Sequence, residues 1–303
     1  MAAIEVNHLH QNFGKQQILK DVSFEVPEKA IFGFLGKNGA GKTTTMKIML
    51  GLLKPTSGTV KIFDESVAFG QTKTNRFVGY LPDVPEFYDF MKPEEYLKLC
   101  GEITYMPAAK IKERSAELLE LVGLEKEQKK IGGFSRGMKQ CLGIAQALLN
   151  EPRLLICDEP TSALDPLGRK EILEILLRIK NKTTVLFSTH ILADVDKICD
   201  HVAILDQGEI VLNGAIQTLK NQQQQETILL EFKDDSSLKK FTDRAAQSFT
   251  IEQQNSDQLK ISTLHADQTI FALMQLLNQQ QLVPVKLEFQ EPTLEDLFLE
   301  VVK

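Results

Sequence analysis

Residues 36–43 read Gly-Lys-Asn-Gly-Ala-Gly-Lys-Thr, a match to G-x-x-x-x-G-K-[ST] at every fixed position. The apolar run Ile31–Phe34 precedes this segment, and apolar-periodic residues continue after it to Leu53. Strand, glycine-rich turn and helix must therefore follow one another here, which few other sequence patterns demand. The glycines let successive backbone N–H groups turn inward around phosphate oxygens, and the helix N-terminus adds partial positive charge. Gly36, Lys37, Asn38, Gly39, Ala40 and Gly41 form this cradle, and Thr44 lies in the first helical turn beyond it. Lys42 is placed to bridge β- and γ-phosphates, and the Thr43 hydroxyl is placed to ligate Mg²⁺.

A metal-binding acid is expected at the end of another buried strand. Leu154-Leu155-Ile156-Cys157-Asp158-Glu159 supplies it. Alone, two carboxylates after four apolar residues could be a solvated strand end. Alongside a phosphate loop they read as chemistry. Asp158 would hold Mg²⁺, largely through water, and Glu159 would polarise an attacking water as general base.

The rest of the chain reads as α/β. Its 303 residues suffice for one large domain or two moderate ones, and its 43% apolar and 25% charged fractions are ordinary for a globular protein. Short apolar runs at Ile4–Leu9, Val22–Val26 and Ile31–Phe34 predict strands over residues 1–33. Recurrence at three and four residues, as at Ile111, Leu118 and Val122, predicts a mainly helical stretch over about 84–150. Thr183–Ser188 and Val202–Leu205 read as buried strands, and their βαβ setting suggests a parallel sheet. Glutamines at 222–225 predict a linker over 218–225, separating a domain of residues 1–217 from one of 226–303. The second domain is expected to be a small α+β unit of the split βαβ type. Its final helix, Pro292–Val302, would carry Leu294, Leu297, Phe298 and Val301 on one side.

Composition narrows the functional classes. A formal net charge of -6 argues against nucleic acid as the main partner, because such binding normally leaves a basic excess or stripe. The four cysteines, at 100, 141, 157 and 199, have no metal-type spacing and read as free thiols. The first residues carry no basic start followed by an apolar stretch, so no secretory signal is expected. No run approaches the roughly 18 apolar residues that a membrane-spanning helix requires.

Between the two nucleotide motifs stands Phe134-Ser135-Arg136-Gly137-Met138-Lys139-Gln140. With this segment the chain resembles the ATP-binding cassette superfamily, whose signature at this place usually reads LSGGQ. The resemblance implies a P-loop NTPase cassette, a mixed sheet with helices and a helical subdomain, that binds and hydrolyses ATP with Mg²⁺. Ser135 also reads physically as a helix N-cap. Its hydroxyl, the Gly137 backbone and the helix dipole together make a second anion site. In this family the two anion sites lie on opposite faces, so the resemblance implies two cassettes packed head to tail. ATP would then be sandwiched between Lys42 of one copy and Ser135 of the other. Ser162-Ala163-Leu164-Asp165 resembles the loop that contacts the opposite cassette, which places Asp165 at the seam. His190, after Ser188-Thr189, resembles the switch histidine that contacts the γ-phosphate. Phe13, in Asn12-Phe13-Gly14, resembles the aromatic that stacks on adenine, although by itself it would serve equally as core.

Three positions depart from the family pattern. Gly79-Tyr80-Leu81-Pro82-Asp83 is similar to the family's glutamine loop, but Asp83 stands where Gln or Glu is usual. The shorter carboxylate suits a water-bridged contact with Mg²⁺ better than a direct one. Arg136 and Met138 replace small or amide groups in the signature. The resemblance covers residues 1 to about 217 closely. The block ending Glu291-Pro292-Thr293-Leu294-Glu295-Asp296-Leu297-Phe298 is similar to the accessory domain of many bacterial export-type cassettes. Together these imply a homodimer or paired cassette working with separate transmembrane permease subunits at the cytoplasmic face of a membrane. A single cassette without a sustained heptad run is unlike soluble cassette ATPases that act on ribosomes or DNA.

Overall fold

The protein is described from a computed structural model that covers residues 1–71, 73–222, 226–245, 249–253, 255, 257–263, 266–290 and 293–301. The chain divides into two units, Met1–Ile216 and Gln217–Val301.

Alternating burial along Ala2–Phe13 and Gln16–Pro27 makes β1 and β2 an antiparallel pair, with Ile4 opposite Val26 and Val6 opposite Phe24. The five buried residues Ile31–Leu35 form β3, and the glycine-rich turn leads from it into α1 (Lys42–Met49). Two further strands, β4 (Ser57–Ile62) and β5 (Glu65–Ser66), complete an antiparallel sheet in the order β2-β1-β4-β5. After β6 (Val78–Leu81) come α2 (Pro93–Ile103), α3 (Ala108–Leu121) and α4 (Arg136–Leu148), all within the stretch expected to be helical. The unit continues with β7 (Leu154–Asp158), α5 (Pro166–Ile179), β8 (Thr184–Thr189), α6 (Leu192–Ile198), β9 (His201–Asp206) and β10 (Glu209–Ala215).

The second sheet runs β10-β9-β3-β8-β7-β6, with every pairing parallel except that of β10 with β9. β3, β7 and β8 are buried throughout, as expected of parallel strands covered on both faces. Core residues from both sheets meet in one cluster, where the Phe24 ring stacks on Phe32 at 5.7 Å and on Phe34 at 5.1 Å. Each fully buried side chain of this size contributes about 1.5–3 kcal/mol. The consequence for function is positional. β3, β7 and β8 all end at the same edge, so Gly36, Asp158 and His190 emerge side by side, where open α/β sheets place ligands.

Helix α7 (Ile216–Gln222) opens the second part of the chain. It overlaps the linker expected over 218–225, of which residues 223–225 lie outside the described residues. Glutamine is a good helix former, and the buried Ile216 and Leu219 give the segment an apolar side that composition alone conceals. Beyond it, β11 (Glu226–Glu231), α8 (Asp235–Ala245), β12 (Thr250–Gln253), β13 (Gln258–Thr263), α9 (Ala266–Gln279) and β14 (Lys286–Gln290) follow the β-α-β-β-α-β succession of the split type. Their sheet is antiparallel, in the order β12-β13-β11-β14, and closes on its own core of Ile228, Leu230, Phe232, Phe241, Leu259, Ile261 and Leu273. The last helix, α10 (Leu294–Val301), buries Leu294 and Leu297 and leaves Phe298 half-buried. Pro292 and the Val301 side chain fall outside the described residues. Among the described residues no helix is long and apolar enough to cross a membrane.

Candidate functional site

The turn between β3 and α1 needs its glycines. Gly39 and Gly41 have φ values of 84° and 112°, in the left-handed region where a side chain is strained. A Cβ at Gly36 would lie 2.5 Å from the Leu205 carbonyl oxygen, so only glycine fits there. Lys42 folds back over the turn, donating to the Gly36 carbonyl at 2.6 Å and to the Lys37 carbonyl at 3.3 Å.

The ends of β7 and β8 supply the acids. Asp158 is 4% exposed and accepts from Thr43 Oγ1 at 2.9 Å and from Ser188 Oγ at 2.7 Å. Ser188 Oγ in turn accepts the Glu159 N–H at 3.1 Å, locking the two strand ends together. Glu159 lies 3.1 Å from Lys42 Nζ through one oxygen, a charge contact without hydrogen-bond alignment, and 2.8 Å from His190 Nδ1 through the other. Its φ of 48° is left-handed, a conformation that costs about 1–3 kcal/mol and is characteristic of functional sites.

Lys42, Thr43, Asp158, Glu159 and His190 line one cleft of about 560 Å³, together with Phe13, Asn38, Gly39, Thr44 and Asp83. Phe13 is 51% exposed, so it is not a core residue. Burial pushes the Asp83 carboxyl above its usual value; Arg136 pulls it down, while Asp158 and Glu159 push it up. Burial, followed by the charge of Asp158, raises Tyr80 to about 12. The Thr43 hydroxyl and the buried Asp158 carboxylate are hard oxygen donors 2.9 Å apart, a set that fits Mg²⁺.

Ser135, Gly137 and Asp165 gather elsewhere, in a second cleft of about 610 Å³ that shares no lining residue with the first. Ser135 caps α4, its hydroxyl accepting the Met138 N–H at 3.2 Å. Asp165 caps α5 by accepting the Gly168 N–H at 3.2 Å, a role signalled in the sequence by Pro166 directly after it. Sequence reasoning missed Ser188 and Gln140. Ser188 had a visible signal, a hydroxyl directly after the apolar run Val185–Phe187. Gln140 is wholly buried, and its amide donates to the carbonyls of Asp83 and Pro160, a reach of 57 and 20 residues.

Comparison with known proteins agrees with this geometry. The family profile described as ABC transporter matches residues 19–162, and that of the ATP-binding protein DrrA1-3-like C-terminal domain matches residues 214–302. The uncharacterised ABC transporter ATP-binding protein YxlF of Bacillus subtilis is 39% identical over 302 residues, covering 99% of both chains. The bacitracin transport ATP-binding protein BcrA of Bacillus licheniformis is 41% identical over 211 residues, covering 69% of this chain and 68% of its own. A solved ATP-binding subunit of an ABC transporter superposes with a TM-score of 0.65 at 35% identity, covering 73% of this chain and 92% of that one. Cleft, fold and relatives converge, and the chain belongs to the ATP-binding subunits of ABC transporters, which hydrolyse ATP to power transport.

Proposed function

We propose that this subunit drives an exporter, that it works as two copies packed head to tail, and that separate transmembrane subunits hold it at the cytoplasmic face of the membrane. The observation that carries the paired reading is the separation of the two clefts, since no lining residue belongs to both. A nucleotide seated on Lys42 needs a second copy to meet Ser135 and Gly137, with Asp165 at the seam. Export is supported by the match to the DrrA1-3-like C-terminal domain and by the likeness to a bacitracin transport subunit.

In this reading Phe13 stacks on adenine, and the backbone from Gly36 to Thr44 wraps the phosphates of ATP. Lys42 spans the β- and γ-phosphates. Thr43 and Asp158 would hold Mg²⁺, which when bound neutralises charge on the phosphate oxygens. Glu159 orients and deprotonates the attacking water, and His190, 2.8 Å from its carboxylate, faces the γ-phosphate.

The test is assembly. Full-length Glu159→Gln should form a dimer in ATP, read by size-exclusion chromatography with light scattering. Adding Ser135→Arg, which brings bulk and a misplaced charge, should return it to monomer. An ATP-stabilised dimer of the double variant would overturn the trans role of Ser135. In cells, an exporter without turnover accumulates its cargo, and depletion of the cargo would assign import instead.

A further inference from the structure

Asp83 and Arg136 are 53 residues apart in the chain and in contact in space, with Arg136 Nη2 at 3.4 Å from Asp83 Oδ1. Helix α4 holds Asp83 a second time. One turn beyond Arg136, the buried Gln140 amide donates to the Asp83 carbonyl at 3.2 Å and to the Pro160 carbonyl, next to Glu159, at 3.3 Å. Asp83 lines the cleft of Lys42, and Arg136 lines the cleft of Ser135.

Each side chain is poorly placed without the other. Arg136 begins α4, where a cation opposes the helix dipole, and the first turn contains no acid to offset it. Asp83 stands at the mouth of a cleft already holding Asp158 and Glu159, and a third bare carboxylate there repels a triphosphate. Together they present a neutral, oriented group. We infer that Arg136 serves nucleotide binding as the counterion of Asp83, cancelling a carboxylate that would otherwise repel the triphosphate at the rim of the ATP cleft. This rests on the Lys42 cleft being the ATP site.

Steady-state ATPase kinetics of the full chain, with titration of a fluorescent ATP analogue, test the pair. Arg136→Gln should raise KM about 2- to 5-fold with kcat little changed, the scale of a partly exposed ion pair. Arg136→Lys should keep most of the parental KM. Adding Asp83→Asn to Arg136→Gln should restore KM, because the carboxylate that needed a counterion is gone. A purely structural Arg136 at the start of α4 would show no such rescue. A double variant no better than Arg136→Gln overturns the pair. So does an Arg136→Gln KM equal to that of the parent, which would show that Asp83 needs no counterion. Failure of the site reading is visible separately: Lys42→Ala would then bind the analogue as tightly as the parent, and the inference would fall with it.

Discussion

In the cleft around Lys42 the charged groups are held by the sheet and by one another, whereas in the cleft around Ser135 the groups singled out, Ser135 and Asp165, sit at helix starts. Asp158 is pinned between α1 and β8 by Thr43 and Ser188, and Glu159 stands between Lys42 and His190. Three elements, α1, β7 and β8, converge there with little freedom, which is what preorganised chemistry requires. Ser135 and Asp165 instead cap α4 and α5, each using its oxygen on its own helix. That second cleft offers helix-terminal charge to an anion but has no loop lysine and no paired strand-end acids. On the proposed head-to-tail pairing the difference amounts to a division of labour: one face of the cassette would react, and the other would receive what a second copy presents.

The largest expected effect sharpens this contrast. Glu159→Gln preserves shape but removes the proposed base, so turnover should fall ~10²–10⁴-fold while ATP binding persists. Near-normal phosphate release by the purified variant would take the reacting group out of the first cleft. Next, Lys42→Ala removes charge-assisted hydrogen bonds to the phosphates, together worth about 1.5–3 kcal/mol, and should weaken ATP affinity about 10- to 100-fold. An unchanged dissociation constant for a fluorescent ATP analogue would place the nucleotide elsewhere. Ser135→Ala deletes the α4 cap and should cost about 1 kcal/mol, seen as a lower thermal midpoint. ATP affinity of the single chain should not change, and a clear loss would break the separation of the two clefts. Smallest of all should be the effect of ending the chain after Lys220. The residues of both clefts lie within Met1–Ile216, and β11 to α9 close on their own core. The truncated chain should be soluble and bind ATP as the parent does, and an insoluble or non-binding product would show that the remainder belongs to the cassette's fold.

The residues legible beforehand were those whose neighbours in sequence are also neighbours in function. The glycine turn before Lys42 and the paired acids after β7 declare themselves through spacing and flanking apolar runs, because turn geometry and strand burial are set within a few residues. The α/β character and the β-α-β-β-α-β order of the C-terminal part follow from the same local periodicities. Helix α7 was not legible in the same way, because the buried Ile216 and Leu219 sit in a segment whose composition is polar.

The sequence by itself determined that a phosphate loop, a pair of acids and a capped helix exist. Only the tertiary structure decided which of them meet. Ser188 reaches Asp158 across 30 residues, Gln140 reaches Asp83 across 57, and Arg136 finds Asp83 across 53. Such contacts depend on the order in which strands enter the sheet, and that order is settled by burying β3, β7 and β8 together, a cooperative outcome that no short window of residues encodes.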